Sequence, residues 1–290
     1  MRAGLLRFSA ALLLAALLAA GAQATNVSNN ELADWSPVRQ ELVFTSDRTG
    51  SYQIYLMNAD GTGVRRLTHD GAEDDFPAWS PDGREIAFSS NAQGNYEIYV
   101  MDANGTGLRR LTHNPADDAV PKWSPNGRRI AFMSDRTGNY DIFVMNADGS
   151  RVRRLTTWPR SDASPAWSPN GRSIAYASTR EGGVLAIYTM NAGGGDVRRV
   201  TTDSNHDNYP TWSPNGKEIA FTRDIAGRGE IEVVPADGGK ATALTHGGID
   251  GFVPNWSPDG RHIVFTSTRD GTDEIYVMNA DGTGLHRLTV

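Results

Sequence analysis

No cysteine occurs anywhere in this chain. That excludes disulfide staples, thiolate metal sites and a lipid-modified N-terminal Cys, so the fold must be held by packing alone. Long apolar runs are also missing. The longest, Phe8 to Ala20, has 13 residues, well short of the roughly 20 that a membrane-spanning helix needs. Basic excess is lacking too, which speaks against nucleic acid or an anionic membrane as partner. Finally, the chain has no GxSxG elbow, no HExxH pair and no phosphate-binding GxxxxGK[ST] loop, so the common signatures of hydrolases, zinc peptidases and nucleotide enzymes are absent.

The first 24 residues read as a secretory leader. Arg2 and Arg7 precede the apolar run, and Ala22-Gln23-Ala24 has the small-x-small form of a cleavage site, with cleavage expected after Ala24. Without Arg2 and Arg7, 26 basic residues face 34 acidic ones, a net charge of −8 on 266 mature residues. An exported location, periplasmic or secreted, follows as an expectation. The mature length suffices to bury a large core.

What the chain has in abundance is repetition. Trp35, Trp79, Trp123, Trp167, Trp212 and Trp256 each begin a WSP triplet, at spacings of 44, 44, 44, 45 and 44 residues. A period in the forties with several short strands per unit is the sign of a β-propeller. In one unit, Phe76 to Trp79 leads through the turn Ser80-Pro81-Asp82-Gly83 into EIAFS (Glu85 to Ser89), then EIYVM (Glu97 to Met101), a glycine turn, and LRRLT (Leu108 to Thr112). Pro and Gly stand where turn geometry favours them. EIYVM is apolar on both pleat faces, as expected when sheets stack face to face. Arg pairs such as Arg109-Arg110 mark the outer strand, where charge discourages edge pairing.

The expected fold is therefore all-β: a six-bladed propeller of four-stranded antiparallel blades, with residues 25–290 forming a single propeller. After Leu288-Thr289-Val290 no acidic loop or P-x-W strand follows, whereas Asn29 to Trp35 (NNELADW) aligns with Glu73 to Trp79 (EDDFPAW). The reading predicts that this N-terminal strand completes the last blade and closes the ring.

The wording FTSDRTG…IYLMNADGTG…RLT…PxWSPDGxxIAF resembles the WD40-like repeat of the TolB family of bacterial propellers, over essentially the whole mature chain. The resemblance implies a periplasmic six-bladed propeller that acts as a protein–protein interaction module. In full TolB proteins the propeller holds a peptidoglycan-associated lipoprotein and follows an N-terminal α/β domain; here the leader runs directly into the first repeat. Related propellers also form oligogalacturonate lyases, so the fold does not by itself select a function.

With the P-x-W strand innermost, the SPDG and NADGTG turns share one face, and the longer loops after LT and the SDRTGNY-type loops share the other. Longer loops on a rigid scaffold are the usual place for binding. On that face Asp74, Asp118, Asp162 and Asp207 stand three residues before the proline, and Asp250 one residue further back. Two readings stand. Such acids can ring the channel mouth and take a partner or, as oxygen-only ligands, Ca²⁺; or each caps its own loop, a device copied into every blade. Arg48, Arg136, Arg180 and Arg269 reach the same face, either for an acidic partner group or for pairing with the Asp side chains. His69, His113 and His246 lie in blades that are not all adjacent, which argues against one shared metal. Trp158 falls outside the repeat and is a candidate hot spot for a partner. The leading expectation is a monomeric, non-enzymatic module that binds an exported protein or envelope component; the alternative is a metal-assisted polysaccharide lyase.

Overall fold

The computed structural model describes residues 28–290; the leader and its cleavage site lie outside the described residues. Strands in this chain are apolar on both faces, so each sheet must be covered on both sides. In blade 1, β1 (Asn30–Trp35), β2 (Glu41–Ser46), β3 (Gln53–Asn58) and β4 (Arg65–Arg66) form one antiparallel sheet in the order β1-β2-β3-β4. Five further sheets repeat this plan, with first strands at Asp74–Trp79, Asp118–Trp123, Asp162–Trp167, His206–Trp212 and Gly251–Trp256. The six-bladed propeller of four-stranded blades is what the sequence predicts.

The core is six wedges, one between each pair of consecutive blades. Val43 and Ile54 of blade 1 pack with Ile86 and Phe88 of blade 2, and the series continues around the ring. The last wedge joins Val264 and Ile275 of blade 6 to Leu42, Phe44 and Met57 of blade 1. Cross-strand aromatic pairs stiffen five blades, among them Phe88–Tyr99 and Phe132–Phe143, both with centroids 5.8 Å apart.

Closure differs from the sequence expectation. β1 does not join the sixth blade. It pairs with β2 of its own blade, Asp34 opposite Val43 and Trp35 opposite Leu42. The short Ser36–Gln40 turn brings these strands together, with Ser36 N–H donating to Glu41 O at 2.9 Å. Each blade is thus one contiguous unit, and blade 6 keeps its own first strand. The seam is closed by packing and by cross-blade hydrogen bonds. Asn30 N–H donates to Asp273 O at 2.7 Å and Asn30 Nδ2 to Glu274 Oε2 at 2.9 Å. Leu32 N–H donates to Thr266 Oγ1 at 3.1 Å.

Every first strand carries a bulge, and the residue two after the slot position (that of Asp74 in blade 2) has positive φ: Leu32, Phe76, Val120, Ser164, Tyr209 and Val253, all between 52° and 58°. A non-glycine residue there is strained by roughly 1–2 kcal/mol. The strain frees an N–H for the preceding blade, as in Val120 to Ser89 Oγ at 3.1 Å and Val253 to Thr222 Oγ1 at 3.0 Å.

Loop sorting follows the sequence reading. Ala59 N–H donates to Gln40 O and Ala103 N–H to Arg84 O, so the NADG turns and the WSP turns share one face. Gly61 in the NADG turn (φ +83°) presses against the end of blade 6; a Cβ there would lie 2.5 Å from Leu288 O. Gly50 also has positive φ (+100°) but opens on free space.

Both Gly61→Ala and Gly50→Ala pay for a left-handed backbone, and only the first collides across the seam. Chemical denaturation should show Gly61→Ala less stable than Gly50→Ala by about 1–3 kcal/mol, the usual cost of overpacking. Equal losses would mean that the seam is not a packed interface.

Candidate functional site

The slot acids occupy a different place from the expected channel mouth. Asp74, Asp118, Asp162 and Asp207 have no exposed surface. Register puts each opposite the last core residue of its neighbouring strand: Asp74 faces Ser90, Asp118 faces Ser134, Asp162 faces Ser178 and Asp207 faces Arg223. They lie inside their blades, and they cannot touch a partner directly. Nor do they gather round an ion: among the described residues no three His, Asp or Glu side chains converge in a geometry suited to a metal. Asp74, Asp118, Asp162 and Asp207 are thus held one to a blade, and the ring of carboxylates from which a Ca²⁺ site was expected is not formed.

Two of the four, Asp118 and Asp162, are met by loop arginines. Arg136 Nη2 donates to both oxygens of Asp118, at 2.8 and 2.7 Å. Arg180 comes within 3.9 Å of Asp162. In blade 1 the slot holds Asn30, and Arg48 Nη2 donates to its Oδ1 at 2.6 Å. Blade 5 has no loop arginine; Arg223, from within the second strand, grips Asp207 at 2.8 and 3.0 Å and Glu232 at 2.7 Å. Blade 2 has neither, and burial pushes Asp74 up to about 6. Burial also raises Asp118, against the opposing pull of Arg136. Asp250 is half-buried beside the slot, which Gly251 fills, and its carbonyl accepts from Thr268 N–H at 3.3 Å. Arg269 has no slot acid to meet; its nearest carboxylate is that of Asp270, at 3.9 Å.

The outer arginine pairs do more than guard an edge. Arg110 reaches the buried Glu97 at 2.6 Å and Arg154 the buried Asp141 at 2.6 Å. In blade 4 Ala186 stands where this acid would be, and Arg199 turns to Glu181 at 2.9 Å. His69, His113 and His246 are exposed, one to a blade.

Trp158 is 47% exposed on the loop face. Arg180 stacks over it at 5.6 Å and over Tyr188 at 5.0 Å. Asn139 Nδ2 clamps the Trp158 loop by donating to Arg160 O at 2.9 Å. The aromatic is thus held on a platform built from blades 3 and 4.

The axis holds a group that sequence reading missed. Glu31 and Asp75 follow the slot residue in blades 1 and 2, and their charges are felt by Tyr209 of blade 5 across the channel. Burial raises Glu31 well above the usual carboxylate range, with Asp75 and Asp273 adding repulsion; burial pushes Asp75 up to about 7 and Asp273 up to about 6. The signal is an acid at the second residue of NELADW and DDFPAW, visible only once the slot is seen to face the blade interior. At the WSP end, Trp35, Trp79, Trp123, Trp167 and Trp212 border a cavity of about 230 Å³ with Asp34 and Lys122.

The family described as TolB beta propeller domain matches the chain at residues 72–163, 158–251 and 210–290. Among solved structures, one described as TolB from Agrobacterium tumefaciens is similar at 24% identity and TM-score 0.70, over 78% of this chain and 84% of that one. TolB from Acinetobacter baumannii is similar at 24% identity and TM-score 0.71; the match covers 88% of this chain but 61% of that one. An oligogalacturonate lyase in complex with manganese is similar at 12% identity and TM-score 0.63, over 90% of this chain and 77% of that one. These likenesses concern the fold. No curated protein matches the sequence.

Two outcomes follow from the buried charges. Arg136→Met strands the Asp118 carboxylate and should cost about 3 kcal/mol in denaturation, the low end for a broken buried pair because Arg136 keeps some solvent; adding Asp118→Leu should recover most of it. The folded state holds the Asp75 proton more tightly than the unfolded chain, so this group's contribution is full near pH 4 and is lost as pH rises through about 7. Asp75→Asn should flatten that decline in a pH series of urea midpoints, and an unchanged slope would count against the axial placement.

Proposed function

This chain belongs to the TolB β-propeller family, and we propose that it is a non-enzymatic, exported interaction module whose loop face docks another exported protein or an envelope component. The observation that carries this reading is Trp158, a half-exposed tryptophan over which Arg180 stacks, on a loop face where Arg136 and Arg180 turn inward to buried acids of their own blades. A large aromatic at low ordering cost is the kind of anchor that dominates interfaces. The buried Asp–Arg pairs act as supports that fix the loops, so the expected partner-binding role of Asp118 and Asp162 becomes indirect. Arg269, without a slot acid to hold it, is the loop arginine best placed to meet an acidic group on a partner.

In this reading the protein works in the periplasm, and a Tol–Pal-like role in envelope assembly, with a peptidoglycan-associated lipoprotein as partner, is its finer form. The lyase alternative has less support: the likeness is one of fold at 12% identity, and among the described residues the geometry offers no convergent metal ligands.

Site-specific photo-crosslinking in cells tests the proposal. A crosslinker at position 160 should give a discrete adduct that Trp158→Ala abolishes, whereas one at position 148, on the opposite face, should not give it. The same adduct from both positions, or one indifferent to Trp158→Ala, would remove Trp158 as the anchor. Release of unsaturated, ultraviolet-absorbing products from pectate fragments would favour the lyase.

A further inference from the structure

The repeat is broken in charge at one position on the WSP face. Directly after the WSP turn, at the first residue of the second strand, blade 1 has Glu41, blade 2 Glu85 and blade 5 Glu218. Glu85 is ion-paired to Arg109 at 2.8 Å. Blade 4 has Ser173 and blade 6 His262, and blade 3 alone has an arginine, Arg129, preceded by Arg128, which stands where four other blades also carry a basic residue. The outer arginine of blade 3, Arg153, has no acid to meet and turns to the Gly193 carbonyl at 3.0 Å. Among the described residues, neither the Arg128 nor the Arg129 guanidinium makes a hydrogen bond, ion pair or ring contact, although both backbone amides are bonded in the turn.

These two free guanidinium groups line a groove of about 450 Å³ between blades 3 and 4, together with Pro125, Asn126, Trp167 and Pro169. The groove adjoins the cavity at the channel end, which shares Trp167 and brings Lys122 to its rim. A groove of this size suits a small ligand or a few residues of peptide. Proline and tryptophan walls offer an apolar surface, Asn126 offers an amide for backbone hydrogen bonds, and a pair of arginines offers forked donors for carboxylates.

We infer that this groove binds a short acidic peptide segment, its carboxylates on Arg128 and Arg129 and a neighbouring apolar side chain against Trp167. Charge selects the occupant. The chain is acidic overall, so an extended polyanion is repelled from most of its surface, while one or two carboxylates meet the local pair Arg128 and Arg129. The site lies on the face opposite Trp158 and does not depend on what the loop face binds.

The test uses the mature protein and a fluorescent Ala-Glu-Leu-Glu-Ala peptide, read by anisotropy at low and moderate salt. Binding should weaken with salt and vanish for the Ala-Gln-Leu-Gln-Ala counterpart. Arg129→Glu, which installs the residue type blades 1 and 2 carry there, should weaken it by about tenfold or more, and Arg128→Ala should weaken it as well. Arg228→Glu, an equal charge change on the loop face, should leave it unaltered. No binding, or equal weakening by Arg228→Glu, would overturn the assignment. Displacement of the peptide by trigalacturonate but not by a second acidic peptide would overturn it too, and would give the groove to a sugar acid.

Discussion

A sheet that is apolar on both faces cannot stand alone in water, and this single constraint shapes the molecule. Each blade needs a neighbour on either side, and an open row would leave two apolar faces wet. A closed ring is the arrangement that covers every face. The sixth wedge, where Val264 and Ile275 meet Leu42 and Phe44, is therefore as necessary as the other five. Because hydrophobic burial between blades does this work, the ring needs neither a disulfide nor a shared strand at its seam.

Polar groups then set how the loops stand on that ring. A buried carboxylate without a partner is costly, and the blades resolve the problem in different ways. Blade 3 uses Arg136 from a loop, blade 5 uses Arg223 from the strand itself, and blade 1 replaces the acid with Asn30. Blade 2 gives Asp74 no loop arginine, and burial raises its proton affinity. The common outcome is a loop face anchored from beneath, which gives Trp158 a stiff base.

Function is sought where the sixfold pattern fails. A device present in every blade serves the ring; a departure confined to one blade is free to serve something else. Trp158 on the loop face and Arg129 on the WSP face are such departures, and both belong to blades 3 and 4. The axial pair Glu31 and Asp75 is a third departure, shared by blades 1 and 2.

Much of this was legible in the chain. The 44-residue period, the strand limits, the turn types and the division of loops between two faces all follow from local pattern, since each depends on residues only a few positions apart. The closing strand was misassigned because alignment alone cannot say which of two equivalent edges a strand joins; a five-residue turn decided that β1 pairs with β2. The slot acids were misplaced for a related reason. Whether an inner-strand side chain faces the axis or the sheet depends on the bulge at the positive-φ residue, and no periodicity records it. Encounters across the axis, such as Tyr209 with Glu31 and Asp75, and the groove that leaves Arg128 and Arg129 unpaired, exist only once the ring has closed. Residues far apart in the chain are brought together there by packing, which the order of amino acids along one blade does not contain.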